Sequence, residues 1–379
     1  MPSIQPGIQQ LLRDPAAVLG QRRVGIATHA AAVLPNLSSA YMALLEAGVH
    51  ITALFSPEHG LDGSAAPGAT IAHSQDSKGI PIFSLYGNTM RPDPAMLKHI
   101  DVLLFDMQDV GARYYTYLST LRELMLACSE AGLPLIVLDR PNPLGGRLLE
   151  GPTLEPGFES FVGAAQLPVR HGMTLAELAL LLQAQLCPSL ALSSVPMQAW
   201  RRSMIFAQTG LPWVAPSPNM AHLDAVALYP GTCLLEGANV SCGRGTPLPF
   251  EICGAPWLDG PALARRINAC ELPGVSARAL RFTPSADRYA NQSCSGIQLH
   301  ISNAHTLRPV ALGLHILAAL QSQHPDMLTW EAQHFDRLIG NGHVRQALTA
   351  GEEANAIMSS WEQSCATFQH ERQPFLHYI

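Results

Sequence analysis

The sequence predicts an α/β protein: an open, mostly parallel sheet followed by a smaller α+β unit. Two observations carry this reading. Over roughly the first 140 residues, short apolar runs alternate with amphipathic stretches at the spacing of strand–helix–strand units, which pair in parallel through right-handed crossovers. A long segment rich in Gly and Pro then breaks the pattern, and mixed periodicity resumes after residue 257.

The elements follow in order. Residues 24–28 (VGIAT) form the first apolar run, and 38–47 can form a helix that opens at a Ser cap and stops at Gly48. Residues 51–55 and 80–85 are further strand candidates, and 101–106 (DVLLFD) is the clearest buried strand. A helix over 116–131 places Leu121, Leu124, Met125 and Cys128 on one face. Gly132 ends it, and residues 135–138 (LIVL) return as a strand. Residues 173–186 (MTLAELALLLQAQL) make an amphipathic helix capped by Thr174. Between 209 and 257 turn-formers recur every few residues, which argues against long regular elements and for a functional loop region. An apolar helix over 310–320 belongs to the later unit, and the chain divides into domains 1–250 and 251–379.

Composition narrows the function. A chain of 379 residues favours two domains, and 47% hydrophobic with 14% charged residues is enough to bury a large core. The net charge of -6 and scattered basic residues give no nucleic-acid face. No apolar run is long enough to span a bilayer, so no membrane partner is expected. The eight cysteines form no C-x-x-C pair and read as buried reduced thiols, and the fifteen histidines lack ligand spacing, so no metal is expected. The start MPSIQPGIQQLLRD lacks a basic stretch followed by an apolar one, which makes the cytoplasm the expected location. No cofactor is expected: Gly243-Arg-Gly245 lacks the third glycine and the preceding strand of a dinucleotide loop, and no phosphate loop or nucleophile elbow is present.

Position points to the chemistry. Three polar clusters each follow an apolar strand: Glu58-His59-Gly60; Asp106 through Gln108, Asp109, Arg113, Tyr114, Tyr115 and Tyr117; and Asp139-Arg140 with Asn142. Open α/β sheets bind ligands outside the carboxyl ends of their strands, so these loops should converge on one site. Glu58, flanked by Pro57 and His59, is the first candidate for a partly desolvated general acid, or else a capping or ion-paired carboxylate. Asp106 and Asp109 offer the second carboxylate that glycosidic cleavage usually needs, although either could serve a turn or a strand end. The tyrosines could line a sugar site. Arg113, Arg170, Arg244 and His171 could hold an acidic group. Asn219, Glu236 and Asn239 lie in the Gly/Pro-rich loops and complete the polar candidates.

The segments SPEHG, LFDMQDVGARYYTYLSTL, LDRPNPLGG, RHGMTLAELA, TGLPWVAPSPNM and YPGTCLLEGANVSCGRGTPLPFEICGAPW resemble, in this order, the exo-β-N-acetylmuramidase family of the NamZ type. The resemblance implies a Rossmann-like catalytic domain with helices on both faces of its sheet, over which a smaller C-terminal domain closes. It implies cofactor-free hydrolysis of a non-reducing terminal N-acetylmuramic acid (MurNAc) from MurNAc–GlcNAc disaccharides or muropeptides in cell-wall turnover. It also implies that Glu58 is the catalytic acid. The second group stays open among Asp106, Asp109, Glu236, a tyrosine and the acetamido group of the substrate, and the lactyl carboxylate of MurNAc gives the arginines a purpose. The rival readings are a non-catalytic muropeptide binder and a nucleotide-dependent transferase.

Overall fold

The computed structural model describes residues 4–66 and 68–379. Its strands in chain order are β1 (Val24–Thr28), β2 (Ile51–Ser56), β3 (Ser74–Gln75), β4 (Pro81–Ser84), β5 (Val102–Asp106) and β6 (Leu135–Leu138). There follow β7 (Glu150–Thr153), β8 (Pro168–Arg170), β9 (Leu192–Val195), β10 (Ile252–Ala255), β11 (Val275–Phe282) and β12 (Cys294–Ile301). Seven of them form one sheet in the order β3-β4-β2-β1-β5-β6-β9, parallel except at the β3–β4 edge.

The apolar runs are continuous because the sheet is covered on both faces. In β5, Val102 and Leu104 enter one core with Ile26, Leu54 and Leu138. Leu103 and Phe105 enter the other with Phe55, Val137 and Leu121. From β1 the chain builds outward through β2 to β4, then returns to lay β5 on the other side of β1. That reversal creates a switch point, with a crevice beyond the carboxyl ends of β1 and β5.

The helices match the caps read from the sequence, with one shift. Helix Tyr117–Ala131 ends at Gly132 in the left-handed conformation. Helix Leu175–Leu186 opens with a reciprocal Thr174–Glu177 capping box. The first long helix is shorter than expected, Ala40–Glu46 with Ser39 at its N-cap. Ser38 is held outside it because the Asn36 side chain accepts bonds from both its amide and its hydroxyl.

The Gly/Pro-rich stretch departs further from expectation. It contains a ten-residue helix, Leu223–Thr232, with Pro230 inside it. Packing overrides local propensity here: Ala225, Val226 and Leu228 are buried, and Gly231 lies against helix Pro309–Gln323. A Cβ on Gly231 would stand 1.7 Å from the Pro309 carbonyl oxygen, so only glycine permits this approach. The remaining strands form an antiparallel β10-β12-β11 sheet and a small β7-β8 pair. Among the described residues, no helix is long and apolar enough to cross a membrane.

Candidate active site

Four strand ends supply the crevice. His29 follows β1, and its Nε2 accepts the Gln108 amide at 2.9 Å. Burial pushes the His29 pKa down to about 3, so the ring is neutral. The Tyr117 hydroxyl donates to the Pro216 carbonyl at 2.5 Å and lies 3.5 Å from His29 Nδ1. The Tyr115 ring meets Tyr117 edge-on at 4.8 Å.

Glu58 follows β2 and is 7% exposed. Its Oε1 accepts from the Gly68 amide at 2.9 Å and its Oε2 from the Thr116 hydroxyl at 2.8 Å. The turn that carries it is set by His59, a non-glycine residue at φ 73 whose Nδ1 lies 2.8 Å from the Ala65 carbonyl oxygen. Tyr86, just past β4, is the third neighbour: burial and the adjacent Glu58 push its phenol up to about 12.

Asp109 is also 7% exposed. Its Oδ2 accepts the Gly111 amide at 2.8 Å, and its Oδ1 has no partner among the described residues. Burial pushes its pKa up to about 7, against the pull of the Gly111 and Val110 amides. Both Glu58 and Asp109 act electrostatically on Tyr115 and Tyr117, whose phenols burial already raises. The PEHG turn and the DMQDVGARYY turn therefore share one neighbourhood.

Beside the Glu58 loop lies a cavity of about 770 Å3. Ser64 and Ala66 form one wall, and Asn219, Glu236, Arg244 and Asp287 contribute to the other. Arg244 lies 5.0 Å above the Phe250 ring and donates from Nε to Glu236 Oε1 at 2.5 Å. That is its one side-chain hydrogen bond among the described residues, so its terminal nitrogens face no protein acceptor.

Several expected site residues serve the scaffold instead. Asp106 is fully buried and gripped by Arg140, Nε to Oδ1 at 2.5 Å and Nη2 to Oδ2 at 2.9 Å, so neither residue of this pair is left for a substrate. The Arg113 guanidinium is sealed in the interior and donates to the carbonyls of Pro152, Leu167 and Leu338. Arg170 donates to the Leu144 and Leu307 carbonyls. His171 is buried, its Nδ1 accepting the Met173 amide at 3.2 Å, and burial holds its pKa near about 3. Tyr114 turns its hydroxyl to the Tyr229 carbonyl, away from the carboxylates. Gln108 and Asn142 tie loops together, the first through the Asp109 and Pro141 carbonyls and the second through Met173 and Leu144. Asn239 clips the 327–329 turn. Sequence reasoning missed Tyr86, Thr116 and the role of His29. The strand-end rule that picked out Glu58 would also have picked out His29 and Tyr86.

Two nearly buried carboxyl groups beside tyrosines that meet edge-on, with an arginine-bearing cavity at the Glu58 loop, are features that a glycoside hydrolase uses. The exo-beta-N-acetylmuramidase NamZ profiles match residues 24–224 (N-terminal) and 227–378 (C-terminal), meeting within helix Leu223–Thr232. The peptidoglycan beta-N-acetylmuramidase NamZ of Bacillus subtilis (strain 168) is 41% identical over 100% of this chain and 92% of its own length. Two crystal structures of DUF1343 family proteins from Bacteroides fragilis NCTC 9343 are similar in fold. One has a TM-score of 0.92 at 32% identity, covering 100% of this chain and 99% of its own. The other has a TM-score of 0.81 at 30% identity, covering 99% of each chain. The chain belongs to the exo-β-N-acetylmuramidase NamZ family.

Proposed function

We propose that this chain removes a non-reducing terminal MurNAc from MurNAc–GlcNAc fragments of peptidoglycan, using Glu58 and Asp109 as its two carboxyl groups. The observation that carries the reading is their placement: both are nearly buried at one switch-point crevice, and the loop after Glu58 brings Ser64 and Ala66 to a cavity within the size range of small-ligand sites. Glu58 gives its proton to the leaving oxygen, and the bonds from Gly68 and Thr116 fix the direction in which its carboxyl points. Asp109, titrating near neutrality with one oxygen unpartnered, takes the proton of the attacking water. The terminal nitrogens of Arg244 receive the lactyl carboxylate as a fork. Asp106 has no part in the chemistry, because Arg140 occupies both its oxygens. All eight cysteines are free thiols, which suits a reducing compartment, and we place the reaction in the cytoplasm.

The test is hydrolysis of a chromogenic β-MurNAc glycoside. Wild type releases the chromophore, and Glu58→Gln loses about 10²–10⁴ in kcat while staying folded. Turnover by Glu58→Gln at the wild-type rate rejects the assignment.

A further inference from the structure

A second cavity, of about 620 Å3, opens beyond the carboxyl ends of β6 and β9. In the sheet order these strands lie on the far side of β5 from β2, which carries Glu58. The loop after β6 brings Arg147, the loop after β9 brings Arg201 and Arg202, and the end of β8 brings Arg170. Among the described residues, no carboxylate lines this space. Leu148 and Ile205 give it an apolar wall.

The four arginines are not equally committed. Arg202 is spent on the scaffold: Nη2 pairs with Glu177 and Nη1 donates to the Gly172 carbonyl. Arg170 is 4% exposed; its two terminal nitrogens hold backbone carbonyls, but its buried Nε has no partner. Glu150, its acidic neighbour, accepts the Ala311 amide and forms no ion pair with it. Arg147 and Arg201 are exposed and enter no salt bridge or side-chain hydrogen bond with the described residues. Two free guanidinium groups thus border a cavity that, among the described residues, no carboxylate lines. Exposed guanidinium forks with no protein carboxylate beside them are suited to taking an oxyanion from solution.

We propose that this cavity binds a small organic phosphate. A phosphomonoester carries close to two negative charges and three acceptor oxygens, enough to engage more than one arginine fork at once. Its organic part would lie on the Leu148–Ile205 wall. The site is separate from the Glu58 crevice, so occupancy can be tested without reference to glycosidase activity.

Calorimetric titration of the full chain with glucose 6-phosphate and with inorganic pyrophosphate, alongside glucose and citrate, tests this. Both phosphates are expected to bind and glucose is not. Citrate is expected to bind more weakly than either phosphate. The Arg147→Ala/Arg201→Ala double variant should lose about tenfold in phosphate affinity per arginine removed, with hydrolysis of the β-MurNAc glycoside unchanged. Wild-type affinity should also fall as salt rises. Three results overturn the proposal: neither phosphate binds, the double variant binds them as tightly as wild type, or citrate binds as tightly as the phosphates.

Discussion

Arg140 and Asp106 meet in a two-pronged ion pair, both side chains buried, at the carboxyl end of β5, beside the central strand of the sheet. Its location within the crevice makes the pair look catalytic, yet every strong acceptor of Asp106 faces a guanidinium nitrogen. Removing one partner strands the other as a buried charge. Asp106→Asn should therefore lose about 3–5 kcal/mol of stability in denaturant unfolding. A variant that unfolds at the wild-type midpoint but has lost turnover would instead make Asp106 a participant in the reaction.

Thr116 is a positioning residue, since its hydroxyl donates to Glu58. Thr116→Val should lower kcat about tenfold, the equivalent of about one ordinary hydrogen bond, and leave KM nearly unchanged. Thr116→Ser should restore the rate. A rise in KM with constant kcat would show that Thr116 contacts the substrate.

Asp109 makes both stability and rate depend on pH. Its folded pKa of about 7 lies above the ordinary 3.8, so folding favours the protonated form. Its contribution to stability is complete below the unfolded value and is lost as pH rises through about 7. Asp109→Asn, neutral throughout, should melt higher than wild type above that pH, with the gap closing toward pH 4 in thermal unfolding. In the rate profile, wild-type activity should climb around pH 7 as Asp109 ionises, and the variant should lose that limb along with most of its turnover. A wild-type profile flat across neutrality would remove Asp109 as the base.

Arg113 holds three backbone carbonyls from widely separated segments, one of them in the C-terminal region. Arg113→Ala leaves those carbonyls buried and unpaired, at a cost of about 3–5 kcal/mol. The folded fraction of the variant should bind substrate normally, as read from KM. A large rise in KM at full stability would return Arg113 to the binding site.

Gly231→Ala should destabilise strongly, because the added methyl collides with the Pro309 backbone rather than with a side chain able to move. Chemical denaturation of the variant checks this, and an unchanged midpoint would show that the two helices can separate without cost.

What could be read from the sequence was whatever depends on local order. The strands of the central sheet are apolar in succession because both faces are covered, and the polar residues at their ends mark the crevice. The positions of Glu58 and Asp109 just past strand ends were legible for that reason. The true partners were not, because they come from neighbours in space. Asp106 is paired with an arginine from the loop after the next strand, 34 positions on, and Arg113 donates to a carbonyl 225 positions on. An arginine in a turn-rich stretch looks the same in the sequence whether its fork faces a cavity, as with Arg244, or the protein's own carbonyls. Helix Leu223–Thr232 was hidden by Pro230 and Gly231, the residues its close packing requires.

Asp139 at the end of β6 accepts a hydrogen bond at 2.6 Å from the hydroxyl of Tyr378, 239 positions later, while its backbone carbonyl receives the Gly7 amide. The order of synthesis makes this consequential. Most of the first sheet emerges from the ribosome early, with the Thr174 hydroxyl and the Ala176 amide available to the two Asp139 oxygens, and the third donor comes last with Tyr378. A chain cut short before that tyrosine would bury the Asp139 carboxyl with one donor fewer.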